Sequence, residues 1–329
     1  MKSGAKGRNR TFPAAIAGIL LLGLLLAGCT AAAPKTSSTA AGTRARADLL
    51  ITRDFGAETV YKATVRVPAG ETVLEALSKT VKVETAYGGG FVNSIEGIGS
   101  GYTAGGGKQS DWFYYVNGVQ APVGAGERVL HAGDKVWWDY HSWERYQSIP
   151  AVIGQFPEPF VRGYGGKPFP VEILYGQGFE NEAGELKDAL LSGGARHVSS
   201  SPLQRTIRRG AERSLILLAE WKHIKPLEVA GRQGGELLSG LPLRLDKDEI
   251  LMLDEAGKTT DAQTHAGAIA AAGGGDAHRP VVWLVTGTGP TGVRKAADAI
   301  IERPEAIAGK IAAVVDPGGD VIALPRRGG

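Results

Sequence analysis

Tyr87 to Trp143 reads YGGGFVNSIEGIGSGYTAGGGKQSDWFYYVNGVQAPVGAGERVLHAGDKVWWDYHSW. Four of the six tryptophans of the chain, Trp112, Trp137, Trp138 and Trp143, fall in it. Along Asp111-Trp112-Phe113-Tyr114-Tyr115-Val116, the side chains of an extended strand alternate between faces. Trp112, Tyr114 and Val116 therefore point one way, and Phe113 and Tyr115 the other. One face covers a core. The other is either covered by more protein or offered to a ligand, and the strand itself leaves both open. Asn117-Gly118 is a hairpin-turn signal, because the tightest hairpin turns need positive φ at both central residues. Ala132-Gly133-Asp134 turns the chain once more, into a last strand over Val136 to Tyr140.

Upstream, Tyr61 to Val67 alternates apolar and polar residues and predicts a half-buried strand. Pro68-Ala69-Gly70 turns the chain. Thr72-Val73-Leu74-Glu75 fits a capping box, with Thr72 as N-cap and Glu75 three residues on, opening a short helix that carries Val73, Leu74 and Leu77. Val81 to Thr85 reads as another strand. Strands, one helix, then strands again make a small α+β domain of β-grasp type over residues 48–146.

This domain resembles the transcobalamin-like C-terminal domain (DUF4430), the small β domain of the vitamin B12 carriers. Three features carry the resemblance, between about Thr64 and Trp143. The first is Val67-Pro68-Ala69-Gly70-Glu71-Thr72-Val73-Leu74-Glu75-Ala76-Leu77. The second is the turn Gly90-Phe91-Val92-Asn93-Ser94-Ile95-Glu96-Gly97-Ile98. The third is Trp112 followed by Asn117-Gly118, the Gly133-Asp134 turn and Trp143. The resemblance implies that the domain closes over a corrin ring. Phe91, Ser94, Ile95 and Gly97 would lie on the ligand-facing turn, with Trp112 and Tyr114 beside it. A corrin is a broad amphipathic plate with amide arms, which calls for aromatic and aliphatic area plus a few donors. Gly88-Gly89-Gly90 and Gly105-Gly106-Gly107 suit close backbone approach to such a plate, and equally suit a loop with no ligand. The larger helical domain of the animal carriers has no counterpart here. The implied site is therefore partial, completed by a second subunit or suited to another ligand.

The N-terminus reads as an address. Lys2, Lys6, Arg8 and Arg10 precede an apolar run from Phe12 to Leu26, too short for an ordinary membrane span. It ends in Leu26-Ala27-Gly28-Cys29, which resembles the bacterial lipobox, in which the leader is removed and the cysteine is lipidated. Cys29 is the only cysteine, so no intrachain disulfide forms. Residues 1–29 are expected to be the leader and lipobox, and 30–47 a tether rich in small residues. Two or more acyl chains would hold the protein to the extracytoplasmic face of the cell membrane. The formal net charge of +3 comes with no basic stripe and no nucleic-acid motif, which argues against nucleic acid as a partner.

Residues 147–329 read as an α/β region of unknown function. Gln155 to Phe160 is a proline-interrupted linker or edge segment. Strands are expected at Phe169 to Tyr175, Glu249 to Asp254, Val281 to Val285, Lys310 to Val315 and Val321 to Leu324. Helices are expected at Gly184 to Leu191, Pro202 to Trp221 and Gly292 to Glu302. Pro170 to Gly178 echoes Pro280 to Gly289, each followed by a helix, so two related βα units in one sheet are expected. Gly287 to Gly292 lies between strand and helix but lacks the Lys-Ser/Thr of a nucleotide-binding loop, and reads first as a turn. None of the six histidines has His-x-x-x-His spacing, and there is no Gly-x-Ser-x-Gly elbow. His141 and His131 read as satisfied or surface histidines. No metal site and no enzyme are expected.

The sequence thus points to a lipid-anchored extracytoplasmic binding protein for cobalamin or a related corrinoid, delivering to a membrane importer and requiring no cofactor. The alternative is a cell-surface module whose aromatic face meets a protein or a glycan.

Overall fold

The computed structural model describes residues 45–101, 107, 109–207, 212–229, 231–273 and 277–328. Cys29, the leader and most of the expected tether lie outside the described residues. So do Gly105 and Gly106.

The first half contains β1 (Arg46–Arg53), β2 (Glu58–Arg66), α1 (Val73–Thr80), β3 (Val83–Ala86), β4 (Phe91–Ile95), β5 (Ile98–Gly99), β6 (Ser110–Val116), β7 (Val119–Gln120) and β8 (Lys135–Ser142). A five-stranded sheet has the order β2-β1-β8-β6-β7, and β3-β4-β5 forms a separate small sheet. β1 and β8 are parallel, while β2 and β6 flank them antiparallel. That central parallel pair is what a β-grasp arrangement requires. Arg46 and Ala47, read as tether, already belong to β1. The strand had no sequence signal of its own, because it is defined by pairing with β8 almost ninety residues on.

α1 starts at the expected cap. Thr72 accepts from Glu75 N, and the Glu75 carboxylate accepts from Thr72 N in return. Its buried side chains Val73, Ala76 and Leu77 face the core. Asn117 and Gly118 take φ of 51° and 77°, the mirror-image turn joining β6 to β7.

The second half contains β9 (Val171–Tyr175), α2 (Glu180–Ser192), β10 (Val198–Pro202), β11 (Thr206–Ile207), β12 (Ser214–Glu220), α3 (Trp221–Ile224), β13 (Glu228–Val229) and β14 (Arg232–Gln233). There follow β15 (Leu243–Asp246), β16 (Glu249–Leu253), β17 (Thr259–Thr264), β18 (Gly267–Ala272), β19 (Val282–Gly287), α4 (Pro290–Ile301), β20 (Ala312–Val315) and β21 (Val321–Leu324). A seven-stranded sheet runs β10-β9-β12-β19-β18-β20-β21. Its first four strands are parallel and the remainder antiparallel. β9 with α2 and β19 with α4 are the two strand–helix units expected from the echo. The whole is an α+β protein.

The helix expected over Pro202 to Trp221 is corrected: the stretch holds β10's last residue, β11 and β12. Leu215-Ile216-Leu217-Leu218 is buried on both faces because β12 lies inside the parallel part of the sheet. A continuous apolar run is the mark of such a strand and has no period to separate it from a helix. β18, Gly-Ala-Ile-Ala-Ala-Ala, was not foreseen either. Its small residues admit α4, and a Cβ on Gly267 would stand 2.1 Å from the Gly292 carbonyl oxygen. Gly287 to Gly292 is thus a turn that lets helix and sheet approach closely.

Gln155 to Phe160 is also corrected, from linker to core. Gln155, Glu158 and Phe160 are buried. The Gln155 side chain accepts from Gly118 N at 2.6 Å and donates to the Lys135 carbonyl at 2.8 Å. Ala151 bridges Val119, and Val152 N donates to the Gly118 carbonyl. Farther on, the buried Asn117 amide donates to the Gly163 carbonyl at 2.8 Å. A segment with so many prolines cannot fill a central ladder position, so its side chains satisfy the hairpin's backbone groups instead.

Candidate functional site

The two faces of the β6–β8 ribbon meet different fates. Tyr115 and Trp137 are fully buried, packed with Phe55, Tyr146, Ile149, Val152 and Ile311. Beneath them Asp139, also fully buried, accepts from Thr52 Oγ1 at 2.5 Å and from the backbone N–H groups of Phe55 and Gly56. His141 Nδ1 lies 2.7 Å from the same carboxylate, and its ring is stacked between Phe55 and Phe113. Trp137 Nε1 donates to Thr52 at 2.7 Å. This face is closed, and His141 is a satisfied core histidine. His131 is exposed and sits beside the buried Arg128–Asp134 ion pair.

The opposite face is open at one end. A cleft runs between the small sheet, the outer part of β6 and the loop after β7. Its inner lobe, about 190 Å³, is lined by Gly89, Gly90, Phe91, Val92, Trp112, Tyr114, Gln120, Ala121 and Trp138 among others. Its outer lobe, about 460 Å³, wraps the end of β6, where Asp111 and Phe113 from the strand's other face join Phe91, Trp112, Trp143 and Gln147. The walls are held in place by their polar tips. Tyr114 stacks on Trp138 at 4.8 Å and donates its hydroxyl to the Val123 carbonyl at 2.6 Å. Trp112 Nε1 donates to the Ile98 carbonyl at 2.9 Å, tying β6 to the small sheet. Burial pushes the Tyr114 hydroxyl far above its ordinary value, so it stays a donor.

Trp138 is different. Its indole N–H is buried and has no hydrogen-bond partner, and among the buried side-chain donors of which that is true it borders the cleft. An unmet donor of this kind costs about 1–3 kcal/mol.

Of the residues singled out by sequence, Phe91, Trp112 and Tyr114 line the cleft. Ser94, Ile95 and Gly97 do not. Ser94 and Ile95 are buried, and Gly97 is exposed in the turn between β4 and β5. For Ile95 the cause is a bulge in β4: Ala86 faces Phe91 and Val83 faces Ile95, with the register shifting between. Val83 and Ala86 lie an odd number of residues apart, so Phe91 and Ile95 point to opposite sides.

Asp111 was quoted in the deciding stretch but assigned no role. It is the one formally charged residue lining either lobe among the described residues. Its Oδ1 accepts from Trp112 N at 2.8 Å. Burial raises its carboxyl above the ordinary range, opposed by the bonds from Trp112 and Ser100. The available signal was the single acidic residue in an otherwise aromatic strand. No group of His, Cys, Asp and Glu fit to hold a metal ion occurs among the described residues.

Residues 70–142 match the family model of a domain of unknown function, DUF4430. The DUF4430 match covers β3 to β8 and α1, including every wall of the inner lobe. Two solved structures are similar over the same scale. Haptocorrin in complex with Cbi is 18% identical over 30% of this chain and 25% of its own, with a TM-score of 0.24. A Ruminococcus gnavus protein described as a candidate metal-binding protein is 14% identical over 29% of this chain and 95% of its own, with a TM-score of 0.23. The chain therefore matches about a quarter of haptocorrin's length. No curated protein matches it.

Proposed function

We propose that this protein is a binding protein, not an enzyme, that holds a corrinoid in the cleft of its DUF4430 domain while lipid at Cys29 anchors it to the extracytoplasmic face of the membrane. The observation that carries the reading is the aromatic cleft walled by Phe91, Trp112 and Tyr114. A corrin offers a flat apolar face to Phe91, Trp112 and Tyr114. The resemblance of Gly90 to Ile98 and of Trp112 to the vitamin carriers points the same way. Delivery to a vitamin importer in the same membrane is the role such a protein would serve.

The test is to mix the full chain, in detergent, with cobinamide and to gel-filter the mixture. Corrinoid colour in the protein peak supports the reading. Colourless protein at high micromolar ligand contradicts it, and would direct attention to a protein or glycan partner for the same aromatic cleft.

A further inference from the structure

The outer lobe carries an electrostatic signature that the inner lobe lacks. Its walls are the aromatic rings of Phe91, Trp112, Phe113 and Trp143, and its charge is Asp111. Neither lobe is lined by a lysine or arginine among the described residues. Asp111 makes no described ion pair, and its carboxylate is fixed by Trp112 N and by Ser100. Partial burial weakens solvent screening around it, in keeping with the upward shift of its carboxyl. Aromatic faces beside a carboxylate favour positive charge. A phosphate, by contrast, is held by cationic forks or converging N–H groups, and among the described residues the lining supplies no cation.

We infer that Asp111 makes this cleft select a corrinoid that lacks a phosphodiester tail over one that carries it. The inference rests on the corrinoid reading of the same site. A cobalt(III) corrin without its nucleotide tail bears net positive charge, and the phosphodiester of the complete vitamin offsets that charge. Asp111 attracts the first and repels the tail of the second. At a few ångströms, between the dielectric of water and that of a protein surface, one such charge is worth roughly tenfold in affinity.

The experiment compares aquocyanocobinamide with cyanocobalamin on the full chain in detergent, by equilibrium titration read in the visible spectrum, for wild type and Asp111→Asn. Wild type is expected to favour cobinamide by roughly tenfold, and Asp111→Asn to reduce the preference to about twofold or less, with thermal melting confirming that the variant is folded. The wild-type preference should also shrink as salt is raised, a second reading that needs no variant. Equal affinities in wild type, or a preference untouched by both Asp111→Asn and salt, overturn the selectivity while leaving corrinoid binding intact. Absence of binding by either ligand overturns the corrinoid reading itself, and the selectivity with it.

Discussion

The same two strands present aromatic residues to both sides, yet one side is a core and the other a cleft. Tyr115 and Trp137 are sealed by Tyr146 to Val152 and by Ile311, residues that the chain reaches long after β6. Trp112, Tyr114 and Trp138 are themselves buried, in the larger core cluster, but β4 and the loop after β7 do not seal them completely and a cleft lies against them. Aromatic density is therefore no measure of ligand binding. What matters is whether some distant segment arrives to cover the face. Each face holds one unpartnered ring tip, the Tyr115 hydroxyl on the closed side and the Trp138 indole on the open side, while Trp137 has Thr52.

The largest expected effect lies on the closed side. Trp137→Ala should cost about 3–5 kcal/mol, since it empties a fully buried site and strips the Thr52 hydroxyl of a partner. Urea denaturation would show it as a lowered midpoint, and an unchanged midpoint would break the distinction between the faces. Next comes Ile311→Ala, with a loss of about 2–4 kcal/mol although Ile311 lies far outside the DUF4430 match. Should the loss stay below about 0.5 kcal/mol, the second half would not be what closes this face.

On the open side the effects move from stability to binding. Phe91→Ala should leave the denaturation midpoint within about 0.5 kcal/mol of wild type, because Phe91 is only half-buried. It should weaken corrinoid binding by about tenfold or more, near 1.4 kcal/mol. Trp112→Ala is a poorer probe: Trp112 is 7% exposed and braces the small sheet, so its removal would unsettle the fold as well.

The smallest effect is a pH dependence. Burial raises the folded Asp111 carboxyl above its unfolded value, so the stability it contributes is full below the unfolded pKa and lost as pH rises through the folded one. Asp111→Asn should thus match wild type in acid and exceed it by a few tenths of a kcal/mol near neutrality, the exposure of the group keeping the gain small. Melting curves across that pH range would reveal the crossover or its absence.

Much of the β-grasp half was legible because its signals are local. The Thr72–Glu75 cap, the Asn117-Gly118 turn and the alternation of β6 each depend on a few adjacent residues. β1 was not, because its partner is β8. Nor was β12, whose leucines carry no period once both faces are buried. Phe91, Trp112 and Tyr114, which line the cleft, were singled out through the resemblance and the strand pattern. Ile95 was misplaced because the bulge in β4 inverts the faces, and a bulge is a property of the pairing with β3. Trp138 and Asp111 went unassigned: their places beside the cleft follow from the fold in three dimensions.

The indole N–H resonances of the labelled full chain, followed by NMR while cobinamide is added, test the contrast between the faces most directly. The account predicts that the Trp138 resonance shifts as the ligand packs into the cleft that Trp138 lines, while that of Trp137, held by Thr52 in the closed core, stays in place. Movement of Trp137 with Trp138 unaffected, or no movement of either while the protein takes up colour, would contradict it.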